Sequence, residues 1–116
     1  MSAPGKPVDM DHLARYTGGD STLNAEVLRL FDVQITDMVG QLTTILEARD
    51  AKKWREVTHT IKGAARGVGA FGMGEAAAVA EPIDPALHRE AAELAIKVLK
   101  LRGEAVQSFI RAYLAA

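Results

Sequence analysis

The residues most able to do chemistry lie in one short run, His59-Thr60-Ile61-Lys62-Gly63-Ala64-Ala65-Arg66-Gly67. Imidazole in its neutral form is a nucleophile near neutral pH, and a cation one helical turn away offsets charge on an anionic group arriving at the ring. At about 100° per residue, His59, Lys62, Gly63, Arg66 and Gly67 share one helical stripe. Trp54, Val57, Ile61, Ala64, Ala65 and Val68 form a second stripe on the opposite side. The apolar stripe must face a core, so His59 is expected to look outward.

The glycines sharpen this reading. Glycine inside a helix costs roughly 1 kcal/mol relative to alanine. Two on an exposed face therefore need a reason other than stability. Gly63 lies one turn from His59 on its own side, where a side chain is expected to crowd the imidazole. Leaving it out gives a bulky group, or a partner's surface, access to the ring. A phosphoryl group placed there is expected to meet the cations Lys62 and Arg66 rather than carboxylates. Lys52, Lys53 and Arg55 add positive charge against one acid, Glu56, in a chain whose net charge is only −1. That concentration suits docking to an acidic phosphoryl donor.

The elements that must position this run read as helices. Alanine and leucine dominate, and β-branched runs are short. Asp9 to Tyr16 reads as a short helix closed by Thr17-Gly18-Gly19-Asp20. Start signals at Asp20, Ser21 and Thr22 open a long segment from Leu23 to about Ala48, with Leu23, Val27, Phe31, Met38, Leu42 and Ile45 on one side and Gly40 as an interruption. Asp50 is the expected N-cap of the His59 helix, Ala51 to about Gly67, which Val68-Gly69-Ala70-Phe71-Gly72 ends or kinks. Gly74 to Glu81 is an alanine-rich helix stopped by Pro82. Asp84 is expected to cap a last helix with Pro85 at its first position. That helix runs to about Leu114, with Leu87, Ala91, Leu94, Val98, Leu101, Ala105 and Phe109 on the stripe expected to face the core. Four such helices with short connections predict an all-α, antiparallel up-down four-helix bundle with a short additional N-terminal helix. Residues 1–8 read as a flexible N-terminal arm and residues 9–116 as a single helical domain.

Composition bounds the function. The 116 residues are enough for one domain, and 48% hydrophobic with 25% charged residues is ordinary for a folded soluble chain. The absence of cysteine excludes a disulfide framework, a Cys nucleophile and Cys-ligated metal centres. It fits a cytoplasmic protein. Near-zero net charge speaks against a nucleic-acid or membrane partner. No apolar run reaches spanning length, and Met1 to Pro7 lacks the order of a signal peptide. The initial Met and the one-domain length suggest a free-standing protein.

His59-Thr60-Ile61-Lys62-Gly63-Ala64-Ala65, followed by Val68-Gly69-Ala70, resembles the signature of histidine-containing phosphotransfer (HPt) domains: His-x-x-Lys-Gly-small-small, then an aliphatic-Gly-Ala. More loosely the resemblance spans the whole chain, including the Thr-Gly-Gly-Asp loop. The short link Pro82-Ile83-Asp84-Pro85 and the extra Gly67 depart from the pattern without touching His59, Lys62 or Gly63. The resemblance implies a two-component phosphorelay intermediate. His59 would take a phosphoryl group from a receiver-domain phosphoaspartate and pass it to another receiver aspartate. Lys62 would stabilise its charge, Gly63 would give steric access, and Arg66 is a second candidate for charge stabilisation. Partners would be receiver domains of response regulators or hybrid histidine kinases. Magnesium would belong to the receiver, with no cofactor of this chain's own. No Gly-x-x-x-x-Gly-Lys-Ser/Thr loop or kinase motif set is present, so autophosphorylation from ATP is not expected. The competing reading is a non-catalytic receiver-binding or adaptor bundle, against which the retained His59 and the outward glycines argue.

Other candidates have plainer readings. His12 and His88 lack a Lys-Gly partner and read as surface residues, and three scattered histidines make a poor metal site. Gly67 and Gly69 read as helix-end punctuation. Leu28, Ile35, Val39 and Leu46, and likewise Phe71 and Met73, read as core in preference to an exposed docking patch. Trp54 reads as a packing anchor. Monomer is the default for a bundle that must present one face to changing partners.

Overall fold

Three aspartates open the first three helices of the computed structural model, which describes residues 6–116. Asp9 caps α1 (Met10–Thr17), Asp20 caps α2 (Ser21–Ala48) and Asp50 caps α3 (Ala51–Val68), each accepting hydrogen bonds from first-turn amides. Such caps satisfy donors that a helix start leaves without partners. α4 (Phe71–Ala80) and α5 (Arg89–Ala115) complete an all-helical chain, with no strand among the described residues.

α2, α3, α4 and α5 pack in a closed ring: α2 on α3, α3 on α4, α4 on α5 and α5 back on α2. α1 lies against α2 and α3. α3 and α5 are therefore diagonal across the core. The core inside the ring includes Phe31, Leu42, Trp54, Ile61, Met73, Leu99 and Ile110. Leu28, Ile35, Val39 and Leu46 are buried there too, as the core reading of α2 expects, whereas Leu23 is exposed.

Several boundaries depart from the sequence reading. Residues 1–5 of the expected arm lie outside the described residues, but Val8 is fully buried, and Asp9 N–H donates to the Gly69 carbonyl at 2.9 Å. α4 begins at Phe71 rather than Gly74, because Gly69 alone (φ 89°) makes the reversal after α3. A Cβ on Gly69 would stand 2.6 Å from the Asp9 carbonyl oxygen, so this position requires glycine. α5 begins at Arg89, not at Pro85. Asp84 caps only an isolated turn, accepting from Ala86 N at 2.9 Å, and the chain changes direction at His88 (φ −129°) before the helix starts.

The largest correction concerns which side of α5 faces inward. Leu87, Leu94 and Leu101 are 75, 61 and 62% exposed, and Ala91, Val98 and Ala105 lie outside with them. The core takes Ala92, Ala95, Ile96, Leu99, Gly103, Val106 and Ile110 instead. Small residues explain the choice. A Cβ on Gly103 would come 2.9 Å from Ile35 Cγ2, so the glycine is what lets α5 settle onto α2.

Candidate functional site

α3 presents His59 as the sequence requires. Trp54, Val57, Ile61 and Ala65 are buried on its inner side, together with Thr58, whose hydroxyl is satisfied by the Trp54 carbonyl at 2.8 Å. The His59 side chain on the outer side is 70% exposed. Trp54 locks α3 to the end of α4, its indole N–H donating to the Ala80 carbonyl at 2.9 Å.

That lock brings in a residue the sequence reading missed. Glu81, directly after α4, places Oε1 2.8 Å from His59 Nδ1. The Lys62 ammonium donates to the same carboxylate at 2.7 Å to Oε2 and 3.1 Å to Oε1. These two hydrogen bonds, the one from Lys62 being the stronger influence, hold the Glu81 carboxyl below the usual carboxylate range. The surface beside His59 is thus not purely cationic: a carboxylate bridges the imidazole and the lysine. A clue existed. An acid at a helix C-terminus faces the negative end of the helix dipole and calls for a cation.

The other expected residues separate. Gly63 lies on the outer face, and a Cβ there would meet nothing within 4 Å, and the same holds at Gly67. The fold itself does not need either glycine, and no side chain among the described residues crowds that space. Arg66 is exposed and makes no ion pair among the described residues; its stem lies over α4, with Cγ 3.0 Å from where a Cβ on Gly74 would stand. Phe71 is 42% exposed, Met73 is buried, and His12 packs edge-on against Phe71 with ring centroids 5.0 Å apart. His12 is half-buried rather than a plain surface residue, and its Nε2 has no hydrogen-bond partner among the described residues. His88 is exposed before α5.

The family model of the Hpt domain matches residues 26–112. The chain belongs to the Hpt domain family. The match covers α3 entire and Glu81, so the histidine, lysine and carboxylate all fall inside the Hpt domain. No curated protein and no solved structure matches the chain. Hpt domains act in phosphorelays and interact with receiver domains, so the domain ties this chain to two-component signalling. No helix is long and apolar enough to cross a membrane among the described residues.

Proposed function

We propose that this Hpt domain is a phosphorelay intermediate that accepts a phosphoryl group on His59 from a receiver phosphoaspartate and returns it to another receiver aspartate. The observation that carries the reading is the Nδ1 contact with Glu81. An ionised carboxylate only accepts hydrogen bonds, so Nδ1 carries the proton and the lone pair of the neutral ring sits on Nε2. In a side chain 70% exposed, that nitrogen is free to meet a partner.

The Nε2 lone pair attacks phosphorus. The bond from phosphorus to the aspartyl oxygen breaks, and its electron pair leaves as the receiver's carboxylate. The ring becomes a phosphoimidazolium whose positive charge the Glu81 carboxylate offsets through Nδ1–H. In the second transfer an aspartate oxygen attacks, the N–P bond breaks and the pair returns to Nε2. Lys62 fixes Glu81 and lies beside the incoming oxygens. Arg66, exposed one turn further on, is a second cation for them. Gly63 keeps the approach open for the partner, since the fold gives no other reason for it. The protein's share of the work is positioning and charge, as phosphoryl transfer requires. Magnesium and its acidic ligands are assigned to the receiver. The reading includes an antiparallel up-down four-helix arrangement of α2 to α5, supported by their closed ring of contacts and short links. It also includes a single domain over residues 9–116 and a cytoplasmic setting.

The test incubates wild type and His59→Gln with labelled phospho-receivers or hybrid kinases, and separately with labelled ATP. Uptake from a phospho-receiver by wild type alone supports the relay. No uptake from receivers that are themselves phosphorylated favours a binding or adaptor role.

A further inference from the structure

The misplaced stripe on α5 needs its own explanation. Ala91, Leu94, Val98, Leu101, Ala105, Ser108 and Ala112 recur in steps of three and four over three heptads of a helix that runs from Arg89 to Ala115. Leucine takes one heptad position twice, and valine or alanine takes the other. This is the pattern of a two-stranded coiled-coil seam. Most of it is open: Leu94 and Leu101 are 61 and 62% exposed, and Val98 is 36% exposed. Beside it runs an apolar groove of about 510 Å³ between α4 and α5, lined by Ala76, Val79, Ile83, Ala91, Leu94 and Val98.

We infer that this face pairs with the same face of a second copy of the chain, α5 against α5 in antiparallel orientation about a two-fold axis. Charge decides both occupant and orientation. The flanking positions beside the stripe carry Glu90, Lys97, Glu104 and Arg111, all exposed and none in an ion pair among the described residues. With the axis between Val98 and Leu101, Lys97 meets Glu104 of the other copy and Glu90 meets Arg111, each pair occurring twice by symmetry. Sliding one heptad toward the N-terminus sets Lys97 against Lys97 and Glu90 against Glu104. Sliding one heptad the other way sets Glu104 against Glu104 and Lys97 against Arg111. A parallel pairing sets Lys97 against Arg102. One register is attractive and its neighbours repel, as a self-complementary surface requires. The axis also places Leu94 over Ala105 and Leu101 over Val98, so large residues face small ones. α5 is diagonal to α3, so the pairing leaves both His59 faces open to receivers. The surface argues against the monomer that the sequence suggests by default, and it stands independently of the phosphotransfer reading.

Sedimentation equilibrium of the full chain from micromolar to millimolar, at low salt, tests the proposal. Wild type is expected to reach a dimer. Leu94→Glu with Leu101→Glu should remain monomeric while keeping wild-type helicity, since both side chains are exposed. Lys97→Glu should weaken association on the order of tenfold, because symmetric attractions become repulsions. Adding Glu104→Lys to Lys97→Glu should restore it. A wild type that stays monomeric throughout, a dimer indifferent to the leucine changes, or a Lys97→Glu variant that associates more tightly would each overturn the antiparallel pairing.

Discussion

The carboxylate of Glu81 stands 2.8 Å from Nδ1 of His59, though 22 residues separate them in sequence. The contact depends on α4 ending at Ala80, directly before Glu81, and on Trp54 holding that end against α3. A neutral imidazole alone on a helix surface exchanges its proton between two nitrogens, so either can hold the reactive lone pair. With Glu81 beside it, one nitrogen is committed.

Replacing that acid tests the commitment. Glu81→Gln keeps the shape but removes the charge that offsets a phosphoimidazolium. Transfer from a phospho-receiver is expected to slow roughly tenfold. Nitrogen-detected NMR should show the His59 proton no longer confined to Nδ1. Unchanged rate and tautomer would remove Glu81 from the mechanism.

The same carboxylate should titrate low. Its folded value is depressed by Lys62 first and His59 second. A depressed carboxyl contributes stability that is present above its unfolded value and lost as pH falls through the folded one. The triad is therefore intact at neutral pH and opens only below the ordinary carboxylate range. A carbon-detected titration of Glu81 should show this, and Lys62→Met should move the titration upward. A Glu81 carboxyl that titrates at its ordinary value in the wild type would contradict the geometry.

Gly63 separates folding from function. A Cβ there meets nothing. Gly63→Ala should therefore stabilise the fold by about 0.5–1 kcal/mol in urea unfolding. Gly63→Leu should also fold, yet slow transfer roughly tenfold or more by obstructing the partner's approach. If the leucine variant transfers at the wild-type rate, the glycine has no role in access.

Gly69 behaves in the opposite way. Its φ of 89°, and the 2.6 Å that would separate an added Cβ from the Asp9 carbonyl oxygen, make Gly69→Ala destabilising by about 1–3 kcal/mol. Amide exchange at Asp9 should rise, because its N–H donates to Gly69. Gly67→Ala is the control, a change into open space that should not destabilise. Equal stability of the two variants would refute the strain argument.

How much of this was legible in the sequence varies by element. Asp20 and Asp50 mark their helices because a cap is a local interaction, readable over three residues. The outward stance of His59 is legible because α3 has one apolar side only. α5 was misread because it carries two apolar stripes of identical spacing. Hydrophobic periodicity favours the one with more leucine, while the core selected the one whose Ala92, Ala95 and Gly103 permit close approach. Glu81 was missed because its contact crosses from the end of one helix to the face of another, and no periodicity links such positions. The start of α5 was placed too early because Asp84-Pro85 does begin a turn, and nothing local announces that the turn ends at His88.

Trp54 is the chain's single tryptophan, and its indole donates to the carbonyl of the residue just before Glu81. The molecule's one strong fluorophore is thus wired, through a single peptide unit, to the acid that grips His59. Under the proposed mechanism, positive charge arriving on the phosphorylated imidazole tightens its contact with Glu81 and changes the field at that carbonyl, so the indole's emission is expected to shift. An unlabelled sample would then display its own phosphorylation state as a change of colour, readable in a stopped-flow cuvette while the receiver turns over.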